Sequence, residues 1–254
     1  CIKGTITAAD NIFDDQEKSL LPLAPHAGVR FVSILQLMSF ERLTRKVLDR
    51  AQDAAILTGD QRDGIQKGLL DRMASIGILE GSEEGGVDEI PTPEVMVEKV
   101  HRIRGGSLFA LAFAAPSVLE TGDMAEKMAK AEVAVAQLGT AFQIVDDLTD
   151  FEFDVGRRTH NLLTSQIHHH GSPEEKAALD RFWNGEAVAE GAVESIFRHS
   201  ARAVLETAYA EARAAFAGLQ ALGHWFDPAL ADEVVHAIVG LDGVARMEAL
   251  TSEA

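Results

Sequence analysis

The sequence has little with which to build a sheet or a covalent staple. Its one cysteine, Cys1, excludes an internal disulfide framework and a cysteine-based zinc site. It also fits a reducing compartment. Only one Tyr and two Trp are present. No Asn-Gly or Asp-Gly pair is flanked by alternating apolar residues, so hairpins are not expected. Basic residues are also scarce, 23 against 40 acidic, for a formal charge of −17. A field of that sign repels nucleic acid and anionic membrane. The longest uncharged run, Gly105 to Leu119, contains Pro116 and is shorter than the ~20 apolar residues of a spanning helix. No basic segment followed by an apolar one opens the sequence. These absences predict a cytoplasmic chain with no nucleic-acid partner and no membrane span.

What remains is helical. The 254 residues are 46% apolar and 25% charged, which is globular composition. Thr92-Pro93-Glu94 and Asp227-Pro228 place Pro at a first helical position, where its missing N–H costs nothing. Asp123 to Glu126 and Ser172-Pro173-Glu174-Glu175 read as capping boxes. Met124, Met128, Ala131, Val135, Leu138, Phe142 and Val145 recur at steps of three and four, the period of one buried helical stripe. Phe31, Ile34, Leu35, Met38, Leu43 and Val47 suggest another helix. Val188 to Leu222 is Ala-rich and reads as one long helix or two. Val234, Ile238 and Leu241 belong to a last helix. Gly81 to Gly86 and His168 to Gly171 are read as loops, too short for domain linkers, and no repeat is present. The expectation is one all-α domain over 1–254.

Chemistry concentrates at Phe142-Gln143-Ile144-Val145-Asp146-Asp147-Leu148-Thr149-Asp150. Asp146 follows Phe142 by four residues and Asp150 follows by four more, so on a helix both adjoin the apolar stripe. Like charges at that spacing repel by roughly 0.2–0.5 kcal/mol even when exposed. Near a core their desolvation costs more, so a cation is expected to compensate. Oxygen-only ligands select a hard cation such as Mg²⁺, which is usually shared with substrate phosphates. A solvated acidic helix end carries the same string. A second cluster, Asp10-Asn11-Ile12-Phe13-Asp14-Asp15, repeats the i,i+4 spacing at Asp10 and Asp14. It is also what a frayed N-terminal turn looks like.

Phe142-Gln143-x-x-Asp146-Asp147-x-x-Asp150 resembles the second aspartate-rich motif of the trans-type polyprenyl diphosphate synthases, and the Phe-Gln pair is more restrictive than the acids. Asp10-Asn11-x-x-Asp14 resembles the first motif, with Asn at its second acidic place. Arg104-Gly105-Gly106-Ser107-Leu108-Phe109 sits where that family has Lys-Thr before a small-residue helix start. The order and spacing agree from Gly4 to about Leu163. The resemblance implies a helical bundle of the isoprenoid synthase type with a central cavity, and homodimerisation. It implies condensation of an allylic diphosphate with isopentenyl diphosphate, with Mg²⁺ held by both motifs and pyrophosphate released. Asp10, Asp14, Asp146 and Asp150 would then be metal ligands and Asp147 a partner of a cation. Gln143 would lie beside the allylic pocket. Arg104 would bind diphosphate in place of the family Lys, a swap that is not neutral.

The departures are specific. Asn11 removes one charge from the first site. No Arg-Arg follows that motif, and Lys18 is the nearby cation for substrate. After Asp150 the chain reads Gly156-Arg157-Arg158-Thr159-His160-Asn161, about three residues shorter than the family segment. Arg157 matches the family Lys there and Asn161 its Asp. The family's helices before the first motif are not in this sequence, and the expectation is a longer natural chain. The turn Thr5 to Ala9 has no aromatic residue, which points to products of C15 or longer. Two other readings stay open. A class I terpene cyclase needs Asn-x-x-x-Ser-x-x-x-Glu, and here Asn161 and Ser165 are followed by His169. A non-catalytic or regulatory subunit agrees with Asn11 and Arg104. His168-His169-His170 is read as a solvated run.

Overall fold

The computed structural model describes residues 1–13, 18, 20–24, 26–225, 227, 229–237 and 240–252, with the side chains of 240–242 left aside. Among the described residues every regular element is helical. The all-α expectation therefore holds. The chain divides into two compact units, 1–70 and 71–254. No helix among the described residues is long and apolar enough to cross a membrane.

The smaller unit contains α1 (Ile2–Phe13), α2 (Val29–Asp53) and the start of α3 (Gly59–Ser82). Gly4 lets α1 and α2 meet. A Cβ there would lie 2.4 Å from the Phe40 ring. Gly4, Thr5, Ala8 and Asn11 form the buried face of α1. Asn11 is buried to clasp the following chain: its Nδ2 donates to the Lys18 carbonyl at 2.8 Å, and the Lys18 N–H donates to its Oδ1 at 3.1 Å. Gln36 of α2 does similar work, accepting from the N–H groups of Leu20 (2.8 Å) and Leu21 (3.1 Å). The apolar period along α2 is helical as expected, and Phe31, Ile34, Met38, Leu43 and Val47 on it are all exposed.

The larger unit is built round α7 (Gly122–Thr149). Before it come the end of α3, α4 (Pro93–Met96), a π-helix (Val97–Gly106), α5 (Ser107–Ala110) and α6 (Pro116–Leu119). After it come α8 (Phe151–Arg157), α9 (Leu162–His170), α10 (Pro173–Trp183), α11 (Ala192–Ser195), α12 (Arg198–Ala221), α13 (Leu230–Ala237) and α14 (Gly240–Thr251). The core is Ile144, Val145 and Leu148 of α7 against Phe151, Leu162, Leu163, Phe197, Val204, Leu205 and Met247. Phe197 sits edge-on to Phe151, ring centres 5.2 Å apart. Ala201, Ala208, Ala212 and Ala215 on the buried face of α12 keep that helix slim enough to lie along α7.

Local signals account for several boundaries. Ser172 and Glu175 form a reciprocal capping box at the start of α10, and Pro93 stands in the first turn of α4 after Thr92. The expected box at Asp123 is absent. The helix begins at Gly122, so Asp123 lies inside the first turn, where its charge favours the N-terminal dipole without a cap bond. Met124 is exposed, and the buried stripe of α7 instead runs through Ala131, Ala134, Ala141, Ile144 and Val145. The loop expected at 168–171 is the last turn of α9, capped by Gly171, with the His169 Nε2 3.0 Å from the Ile90 carbonyl. The glycine-rich segment at 81–86 starts inside α3, and Glu83 within it is buried. Pro228 and Ile238, two further sequence markers, lie outside the described residues.

Candidate functional site

The end of α7 carries the acidic motif and distributes it over opposite surroundings. Asp147 points inward and is 2% exposed. Its Oδ2 is 2.8 Å from the Nε2 of His101 and accepts from the Leu162 N–H at 2.5 Å. A carboxylate can only accept, so the His101 Nε2–H donates. His101 is itself fully buried, and its Nδ1 has no partner among the described residues. The Leu162 N–H belongs to the start of α9, where free backbone donors and the helix dipole favour a negative charge.

Asn161 ties the same region together. It is the N-cap of α9, accepting from Leu163 N–H (2.9 Å) and Thr164 N–H (3.2 Å). Its Nδ2 donates to the Asp147 carbonyl (2.7 Å) and to Asp154 Oδ2 (2.9 Å). An aspartate here would cap the helix but supply neither donor. Burial, together with Asp147, pushes the Asp154 carboxyl well above the usual aspartate range despite the bond from Asn161.

Asp146 lies on the outer side. Burial first, then the charges of Asp150 and Asp147, push its carboxyl up to about 7. Gln143 donates to it at 3.2 Å and works in the opposite direction. Asp150 ends the helix and is exposed. Among the described residues, no three His, Cys, Asp or Glu side chains converge on one metal position. A magnesium ion does not require that. It takes one or two carboxylates and completes its shell with water and phosphate. The oxygen-only donors at Asp146 and Asp150, with excess negative charge at Asp146, fit such an ion.

Arg104 is committed elsewhere. Its Nε donates to Glu80 and its Nη2 to Glu83, each at 2.6 Å. Burial opposes its charge, but Glu80, Glu83 and Asp147 outweigh that and raise its pKa above the ordinary arginine value. Glu83 also meets the Nδ1 of His160 at 2.6 Å and accepts from the His160 N–H at 3.0 Å. Burial would raise the Glu83 carboxyl, yet His160 and Arg104 hold it below its usual value.

The π-helix places His101 and Arg104 against α7 through two glycines. A Cβ on Gly105 would stand 2.1 Å from the Gly139 carbonyl oxygen, and one on Gly139 would stand 2.3 Å from that of Gly105. From the other side, Arg246 of α14 donates to the Leu148 and Thr149 carbonyls and pairs with Glu152 and Glu194. It thereby satisfies carbonyls that the end of α7 leaves open.

The other sequence candidates are placed as follows. Asp10 is exposed on α1, off that helix's buried face. Asp14 lies outside the described residues. Lys18 is exposed, with its backbone held by Asn11. Arg157 is exposed, its guanidinium 4.9 Å from the Phe153 ring centre. Within the larger unit, Gln143, Asp146, Asp147, Asp150 and Arg104 belong to the region around the end of α7. His101, Glu80, Glu83, Asp154, His160 and Arg246 were not anticipated. A buried His and isolated acids carry no spacing signature; only the Phe-Gln-x-x-Asp-Asp string announces the place where they meet.

No protein-family model and no curated protein matches this sequence. Among solved structures, the crystal structure of a polyprenyl synthase from Roseobacter denitrificans is similar. The match covers 93% of this chain and 95% of that one, with a TM-score of 0.51 and 19% identity. The likeness shows the fold: this chain has the helical fold of that synthase.

Proposed function

We propose that this chain is a magnesium-dependent prenyltransferase that joins an allylic diphosphate to isopentenyl diphosphate and releases pyrophosphate. What supports the reading is the Phe142-Gln143-x-x-Asp146-Asp147-x-x-Asp150 string at the end of α7 in a helical polyprenyl synthase fold, with the Asp146 carboxyl raised by burial and by Asp150 and Asp147. A cation beside such a group favours its charged form. Asp146 and Asp150 would hold magnesium. The ion, when bound, supplies Lewis-acid stabilisation of the departing pyrophosphate.

The chain's own residues do the positioning. Gln143 orients Asp146 by its hydrogen bond. Asp147 anchors the helix end to His101 and to the start of α9, and so fixes the direction in which Asp146 and Asp150 project. Arg157 and Lys18 supply positive charge for diphosphate. Arg104 acts in this reading chiefly by neutralising Glu80 and Glu83, which stabilises the wall behind the motif. That engagement is also what favours the second reading, a non-catalytic subunit of a prenyl synthase that acts as a dimer, since the guanidinium already serves two carboxylates.

The test is incubation with Mg²⁺, isopentenyl diphosphate and allylic diphosphates of increasing length, with product analysis. Chain elongation to C15 or beyond is expected. Hydrocarbon with released pyrophosphate would move the assignment to a cyclase, and silence would favour the non-catalytic subunit.

A further inference from the structure

Two buried amides of the smaller unit serve one exposed stretch of chain. Asn11 of α1 and Gln36 of α2 are 1% and 2% exposed. Asn11 takes both main-chain polar groups of Lys18: its Nδ2 donates to the carbonyl at 2.8 Å, and its Oδ1 accepts from the N–H at 3.1 Å. Gln36 Oε1 accepts from the N–H groups of Leu20 and Leu21. Chain running over a surface ordinarily gives such groups to water. Here four of them, at or beside an exposed lysine, are fixed by side chains rooted in the packed pair α1 and α2.

The amide at position 11 cannot be exchanged for an acid. Successive helical residues stand about 100° apart, so Asn11 joins Gly4, Thr5 and Ala8 on the buried face of α1 while Asp10 is exposed. An aspartate at 11 would face the Lys18 peptide in the same way. It could still accept from the Lys18 N–H. Having no donor, it would set an oxygen against the Lys18 carbonyl and bury a charge as well. Lys18 is the one Lys or Arg between Lys3 and Arg30. Its ammonium is a point charge suited to phosphate oxygens. With the peptide already held, binding at that ammonium does not have to order the backbone beneath it. We propose that Asn11 is a positioning residue that fixes Lys18 for the diphosphate of the substrate. The diphosphate rests on the function proposed above; the clasp does not.

The test is calorimetric titration of the whole chain with pyrophosphate in the presence of Mg²⁺. Lys18→Met weakens binding about tenfold, the loss of one hydrogen bond to a charged group. Asn11→Ala weakens it about fivefold, because the Lys18 backbone must then be ordered on binding. The two losses do not add: in the Lys18→Met background Asn11→Ala changes nothing further, since Asn11 acts only through that lysine. Asn11→Asp also weakens binding, although it supplies one more acid to a site that uses magnesium. Amide exchange followed by NMR reads the clasp itself: the Lys18 N–H exchanges faster in Asn11→Ala, while the α2 amides keep their rates and so report an intact fold. Unchanged affinity in Asn11→Ala, additive losses with Lys18→Met, or tighter binding to Asn11→Asp would each overturn the proposal. A parent that takes up no pyrophosphate would remove the proposed activity and this inference together, a result distinct from a parent that binds and variants that match it.

Discussion

Asp146 and Asp147 are neighbours in the chain and opposites in surroundings. The inward carboxylate has a histidine, a backbone N–H and a helix N-terminus for company. The outer one has an amide and two further negative charges. One turn of helix thus carries an acid held by three inward partners and an acid whose charge Gln143 and Arg104 offset only in part. The contrast teaches that the motif's carboxylates are not interchangeable: which one faces the core and which one faces outward is set by the roughly 100° between successive helical residues.

The contrast can be broken most forcefully at its inward side. Asp147→Ala leaves His101 and the Leu162 N–H without their shared acceptor, and removing one partner of a buried pair costs about 3–5 kcal/mol. Urea denaturation should show that loss, whereas Asp146→Asn should unfold close to the parent midpoint. The outer side should answer in turnover. On the proposed activity, Asp146→Asn, folded as before, should lose at least about a hundredfold in turnover, the order found when one stabilising group for developing charge is removed. Equal stability losses in the two variants would abolish the distinction.

Two smaller effects sharpen it. Arg246→Met withdraws the donors that cap α7 and frees Glu152 and Glu194 from their partner. A loss of about 2 kcal/mol is expected in the same denaturation assay, and Arg246→Lys, lacking the planar fork, should recover only part of it. The least effect is a pH dependence. Asp146 titrates near 4 when unfolded and at about 7 when folded. The native state therefore holds its proton more tightly, and the contribution is full below pH 4 and is lost as pH rises to 7. Stability of the metal-free parent relative to Asp146→Asn should fall over that interval. A difference that stays flat or rises would show that Asp146 is already compensated.

The helical class was legible because helical period and cap signals agree along the chain, at Ser172 and Pro93 above all. The acidic end of α7 was legible from one nine-residue string. Its architecture was not, since His101 and Glu83 join it from 46 and 64 positions upstream of Asp147, with no local pattern to mark them. Errors fell where a short-range reading met a long-range contact. The histidine run looked like a solvated loop, but the asparagine cap and the buried Ile167 extend a helix through it. Glu83 looked like part of a polar loop, and an arginine and a histidine bury it. In α2 the apolar period marks the helix, while the exposure of Phe31, Ile34 and Met38 on it depends on contacts the period does not carry.

At Gly105 and Gly139 the two backbones touch with no side chains between them. Such a joint has no rotamers to adjust and no gap in which to slide. His101 and Asp147 therefore travel as parts of one rigid body, and amides on either side of the crossing should open to exchange together, at a common rate. Any larger movement of the unit must be supplied by segments that do not pass through this crossing.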